Sequence, residues 1–207
     1  VEINNKLKFD VHINCIVKKA YSRVSLIYRG FVTRDTRILQ KAYITYIRPI
    51  LDYCSHVWSP MYIKHIDAIE KVQKRFTKRL PRMQYLSYLE RLAILGWDSL
   101  ELRRLKSDLC LYYNIYNQHS SIDRTEYFQL NPCLRTTRST NECNFVKPFC
   151  RCDVLKNSFF IRQIDAWNIL PAELRCINSL AGFKRRINSV NFITFLKGSA
   201  YKAQQVV

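Results

Sequence analysis

Only four glycines occur in 207 residues, and no glycine-rich phosphate loop is present. There is no G-x-S-x-G elbow, no histidine-rich metal box and no Asp-Asp pair. An active site usually leaves clustered donors, acids or glycines, and no such cluster stands out here. Long apolar runs are missing too. Without a stretch of 18 apolar residues, an amino-terminal signal pattern or a lipidation motif, a membrane role is the weaker reading and secretion is not expected. Acids are scarce: 16 Asp plus Glu stand against 34 Lys plus Arg.

That imbalance leaves a net charge of +18 and a sequence pI near 9.8, an electrostatic footprint that points to nucleic acid. It is most concentrated in IDAIEKVQKRFTKRLPR at 66–82, which from Lys71 onward carries Lys71, Lys74, Arg75, Lys78, Arg79 and Arg82 and no acid. At about 100° per residue this segment winds into a two-faced helix. Ile66, Ile69, Phe76 and Leu80 fall on one arc, and Lys71, Lys74, Arg75, Lys78 and Arg79 fall opposite. Pro81 ends the helix because it lacks a backbone donor and disfavours helical geometry in Leu80. A charge run of this kind is often only a solvated helix face. Solvated faces usually mix both signs, however, and here Glu70 alone is spaced to relieve Lys74 at i,i+4.

With 48% hydrophobic and 13% aromatic residues the chain can bury a core, as one domain or two small ones. Its eight cysteines are spread from Cys15 to Cys176 and no N-x-S/T sequon occurs, so we read reduced thiols in the nucleus or cytosol. The sharper alternative is zinc at Cys133, Cys143, Cys150 and Cys152. Their C-x9-C-x6-C-x-C spacing lacks the C-x2-C or C-x4-C pairs that bend two thiolates onto one metal, and no metal site is expected. His12 and His56 fall in apolar helical patterns, and His65 and His119 near element ends, where packing or surface roles suit them. Asp52, near Tyr53 and His56, is the one acid inside an apolar helix face; a buried hydrogen bond near Pro49 suits it better than catalysis.

Along the chain, VEINNKLKF alternates as a strand would, with a turn at Asn4-Asn5. Ile13, Ile16, Val17, Ala20, Val24 and Ile27 form a helical stripe that Gly30 would cap, and Thr33 or Asp35 would cap the next helix from Thr36. That second helix carries Leu39, Tyr43, Ile47, Leu51 and Trp58, and Pro49 kinks or breaks it. Ser87 and Gly96 bracket a short helix, and Ser99 caps a longer one. Residues 117–144 shift to polar composition, with Pro132 and TTRST, and read as a linker. ECNFVKPFC alternates as a short strand; LKNSFFIRQIDAWNIL returns to helical spacing; Pro171 opens a turn; Ser179 caps a last helix beside Lys184, Arg185 and Arg186.

Five blocks, NNKLKFDVHINCIVKKA, YITYIRPILDYCSHVWSP, IDAIEKVQKRFTKRL, YLERLAILGWDSLELRRLKSDLCLYYNI and KNSFFIRQIDAWNILPAELRCINSLAGFKRRI, occur in this order across nearly the whole length. As a series they resemble the carboxy-terminal part of non-LTR retrotransposon (LINE) reverse transcriptases of the jockey-like type. The resemblance implies that residues 1–11 correspond to the end of the palm, 12–116 to a thumb-like helical region, 117–144 to a linker, 145–190 to a carboxy-terminal helical region and 191–207 to a tail. The family polymerises through metal-binding aspartates, including an Ala-Asp-Asp box, in upstream fingers and palm, and its endonuclease also lies upstream. Neither is in this sequence, so Mg2+ is expected only for an intact polymerase and this chain alone is expected to be inactive.

The expected fold is therefore mainly α: a helical thumb-like bundle, a short amino-terminal strand remnant and a small strand-containing carboxy-terminal region. The expected role is to hold template and primer, RNA or RNA–DNA hybrid, through the phosphate backbone, with Lys71, Lys74, Arg75, Lys78, Arg79 and Arg82 as the grip. Two other readings stay open: a protein-interaction or regulatory module derived from such an element, and a non-functional remnant.

Overall fold

Ile13, Ile16, Ala20, Val24 and Ile27 recur at the spacing of one helix face, and all are buried on α1 (Asp10–Gly30) in the computed structural model, which describes residues 1–5, 8–129 and 144–201. The described chain is mainly helical and divides into two compact units. The first comprises Val1–Arg104 with the tail from Leu196, and the second Leu105–Phe195. Among the described residues no helix is long and apolar enough to cross a membrane.

In the first unit, α2 (Thr36–Tyr46) starts at Asp35, whose carboxylate accepts the Arg37 N–H at 2.7 Å. Pro49 breaks the helix that follows rather than bending it: α3 (Arg48–Asp52) restarts after Ile47 with the proline in its first turn, where the missing donor costs nothing. A one-turn α4 (Ser55–Trp58) follows Cys54, whose φ is +51°. The basic segment forms α5 (Ile63–Lys78). Ser87 and Glu90 form a reciprocal capping box at the head of α6 (Tyr88–Leu95), with bonds of 3.3 and 2.7 Å, and Gly96 closes it at φ +63°. Ser99 accepts the Leu102 N–H at 3.1 Å to start α7 (Leu100–Tyr116). Helix α1 lies against α2, α3 and α5, and α6 against α5; Leu39, Tyr43, Leu51, Trp58, Ile69, Val72, Phe76 and Leu80 fill the core between them.

In the second unit, short helices surround an aromatic core: α8 (Arg124–Tyr127), α9 (Asp153–Lys156), α10 (Phe159–Arg162), α11 (Ile164–Asn168), α12 (Ala172–Arg175) and α13 (Leu180–Arg186). Tyr112 touches Phe128, Phe145, Phe159 and Trp167, and Tyr113 stacks on Phe183 with ring centres 4.5 Å apart. Asp108, fully buried, accepts hydrogen bonds from Arg162 at 2.8 and 3.2 Å and from Gln163 at 2.7 Å. Ser179 caps α13 through the Gly182 N–H at 3.1 Å.

Several local expectations are corrected. No strand forms over the described part of 1–9: the Lys8 N–H donates to the Asn4 side chain at 2.8 Å and the Asn4 N–H to the Lys8 carbonyl at 3.3 Å, so the turn closes on itself with no partner strand. Gly30 stays helical, and the extended Phe31 ends α1. The strand expected at 142–150 is, among its described residues, a single bridge at Phe145. The Val146 N–H donates to the Gln129 carbonyl at 2.8 Å, and the Asn168 amide accepts the Phe145 N–H and donates to its carbonyl, both at 2.9 Å. The helical stretch 155–170 is broken at Asn157 and Gln163 into successive short helices. Within 117–129 lie α8 and the buried Phe128; Pro132, TTRST, Cys133 and Cys143 fall outside the described residues.

Candidate nucleic-acid interface

Helix α5 is buried over a wide arc, His65, Ile66, Ile69, Glu70, Val72, Gln73, Phe76 and Thr77, which leaves a narrow outer strip. Lys71, Arg75, Lys78 and Arg79 are exposed on that strip, Lys74 is half-buried at its edge, and Arg82 is exposed in the turn beyond, with φ +62°. The five helical cations thus share one side, and Arg82 extends them past the helix end. Among the described residues, none of the six forms an ion pair with a carboxylate. Arg75 and Lys78 lie in the last turn, where they offset the negative end of the helix dipole; this accounts locally for part of the charge but not for Lys71.

Three of the cations are held by aromatic rings. The Arg79 guanidinium lies 4.2 Å from the centre of Tyr28, Arg75 lies 5.5 Å from Tyr21, and the Lys74 ammonium lies 5.1 Å from Tyr88. Tyr21 and Tyr28 come from α1, seven residues and two turns apart, so one helix supplies both rests. Tyr28 is fixed by donating its hydroxyl to the Phe76 carbonyl at 2.7 Å, and burial pushes its phenol above the usual range despite the nearby Arg79 and Arg34. A ring orients a guanidinium without neutralising it, which a carboxylate would do.

Glu70 does not relieve Lys74. It is buried, accepts the Tyr88 hydroxyl, and takes the Leu100 and Glu101 N–H groups at 3.2 and 3.3 Å, so it serves the amino terminus of α7. Gln73 continues the network, accepting from Tyr43 at 2.9 Å and donating to Tyr88 at 3.1 Å and to the Asp98 carbonyl at 3.0 Å. Arg91 closes the other end of α5, donating to the Lys74 carbonyl at 2.8 Å and to Thr77 at 3.0 Å. The polar stripe Glu70, Gln73, Thr77 follows i, i+3, i+7 inside the buried arc, and that spacing is the signal which could have marked these residues as internal.

Burial pushes the Glu70 carboxyl above its ordinary value, against the opposing pull of Tyr88, Arg104 and the two α7 N–H groups. Its folded state therefore holds a proton that the unfolded chain releases earlier, and stability from this group is full below about pH 4.5 and lost as pH rises through the folded value. We expect the stability advantage of the parent over Glu70→Gln to be larger near about pH 5 than near about pH 8 in urea unfolding followed by circular dichroism. An advantage that grows with pH would mean that the donors outweigh burial.

The other singled-out residues have structural surroundings. Asp52 accepts Arg103 at 3.0 Å; His65 Nε2 lies 2.7 Å from Asp10; His12 packs edge-on to Trp58 with ring centres 5.4 Å apart. Cys152 precedes α9 and the Cys150 thiol donates to the Pro148 carbonyl at 3.4 Å; the other two members of the candidate zinc set lie outside the described residues. Among the described residues, no three His, Cys, Asp or Glu side chains are gathered as a metal site.

No protein-family model matches the chain, and no solved structure matches it significantly. It is similar to an uncharacterized protein of Caenorhabditis elegans, with 27% identity over 116 residues, 55% of this chain. The match spans 59% of that protein's length, so the two share one segment and the similarity assigns neither of them a family.

Proposed function

We propose that the chain is a non-catalytic nucleic-acid-binding segment, corresponding to the thumb and carboxy-terminal part of a non-LTR retrotransposon reverse transcriptase, that grips RNA or RNA–DNA hybrid by its phosphates. The observation that carries this reading is the outer strip of α5 and the turn beyond it, where six cations lie without a carboxylate partner among the described residues and three rest on tyrosine rings. Lys and Arg that contact phosphates displace condensed counterions, so binding of this type is sequence-tolerant and steeply dependent on salt. The five sequence blocks support the parent family; the polymerase chemistry would belong to the upstream fingers and palm.

The test is a titration of fluorescent RNA–DNA hybrid at several salt concentrations. Five phosphate contacts would give a slope of log affinity against log salt of about −4. Replacing Lys71, Lys78 and Arg82 by Gln removes three exposed cations that hold no ring, and should make the slope shallower by about two to three units with helix content unchanged. An unchanged slope would remove this face as the grip, and no binding by the parent chain would favour the protein-interaction reading.

A further inference from the structure

The turn after α5 displays an aromatic ring that makes no ring or cation contact among the described residues. Tyr85 is 92% exposed, although Leu80 and Met83 beside it are buried. The turn is held in place: the Met83 N–H donates to the Leu80 carbonyl at 3.2 Å, the Leu86 N–H to the Met83 carbonyl at 3.3 Å, and the Ser87 capping box begins α6 directly afterwards. Tyr21, Tyr28 and Tyr88, which serve the same basic region, each carry a cation on the ring. Tyr85 has no ring or cation contact among the described residues, and it stands three residues beyond Arg82 and six beyond Arg79.

We infer that Tyr85 is a stacking platform for an unpaired base, so that the ligand of the α5 strip carries single-stranded nucleotides at the end nearest Arg82. The inference rests on the phosphate-gripping reading above and adds the form of its ligand. A lone exposed ring between the exposed Arg82 and Gln84 on one side and the Ser87 cap on the other is a poor match for an apolar protein groove, which needs a contiguous patch. It suits a nucleobase, because every base has a π-face and its phosphates need the neighbouring cations. Buried Met83 before the ring and partly buried Leu86 after it hold the backbone of the turn, so displaying the ring costs little backbone entropy.

The test compares two RNA–DNA hybrids of equal duplex length, one blunt and one with a short single-stranded extension containing 2-aminopurine, titrated with the full chain. The extended hybrid should bind more tightly and its fluorescence should be quenched on binding. Tyr85→Ala should lose roughly tenfold in affinity for the extended hybrid, together with the quench, while its affinity for the blunt hybrid and its salt slope stay those of the parent. Tyr85→Phe should keep both, since the ring and not the hydroxyl stacks. Parent-like affinity and quenching in Tyr85→Ala would overturn the stacking role and leave the phosphate grip standing. Failure of the parent chain to bind either hybrid would overturn both.

Discussion

Replacing Phe76 by aspartate is expected to leave the first unit without a cooperative unfolding transition. Phe76 is fully buried on the inner side of α5, its ring 4.7 Å from Tyr43 and 5.3 Å from Tyr28. Deleting a buried phenylalanine costs about 3–5 kcal/mol in lost transfer energy and cavity, and an unpaired buried carboxylate adds several more. A domain of this size has about 5–15 kcal/mol in hand, so the sum reaches its whole stability. The same change would disturb the proposed phosphate grip indirectly, because displacing α5 moves the Phe76 carbonyl away from the Tyr28 hydroxyl and Tyr28 carries Arg79. Thermal melts by circular dichroism check it, with Lys71→Asp as the control: that side chain is exposed on the same helix, and its melt should stay close to the parent's. A sigmoidal, parent-like melt for Phe76→Asp would mean that α5 does not dock as described.

The second large effect is expected in the other unit. Asp108 has no exposed surface and receives the Arg162 guanidinium through two hydrogen bonds, with Gln163 on the same oxygen. Asp108→Ala takes the carboxylate from a mostly buried guanidinium, and losses of about 3–5 kcal/mol follow when one partner of a buried pair is removed. Replacing both Asp108 and Arg162 by leucine should recover much of the loss, because two apolar side chains leave no charge to desolvate. Urea denaturation of the three proteins separates the cases. If the double variant is no better than Asp108→Ala, the position matters for its shape and not for its charge.

Most helix ends with local signals were legible in the sequence, Gly30 being the exception, since it stays helical and Phe31 ends α1. Asp35, Ser87 with Glu90, Ser99 and Ser179 lie within three residues of the N–H groups they cap, and Gly96 supplies a left-handed stop at its own position. Spacing at 100° per residue also separated the outer cations of α5 from Ile66, Ile69, Phe76 and Leu80. What could not be read is what comes from elsewhere in the chain. Glu70 looks like a partner for Lys74 four residues on, yet the head of α7, thirty residues away, offers two N–H groups to the same carboxylate. The rings beneath Arg75 and Arg79 belong to α1, and nothing local to α5 announces them. The alternation around Phe145 reads as a strand, but among the described residues the pairing stops at one bridge, with the Val146 N–H on the Gln129 carbonyl at 2.8 Å and the Asn168 amide on both backbone groups of Phe145.

The first unit is completed by residues that lie far along the chain. The Lys197 and Gly198 N–H groups donate to Glu101 at 2.7 and 3.0 Å, the Ser199 N–H and hydroxyl both reach Asp67 at 2.9 Å, and Tyr201 is buried. A Cβ at 198 would meet the Glu101 carboxylate at 2.7 Å and Ile66 at 3.2 Å, so it would have to push that carboxylate off the strap's N–H groups. The ribosome must therefore translate residues 105–195 before the unit that began at Val1 can receive its last piece. At about 5–20 residues per second this is a wait on the order of 5–20 s, during which Glu101 and Asp67 face water and the nascent chain is open to chaperones and proteases. Elongation speed through the second unit thus sets how long the first remains unfinished.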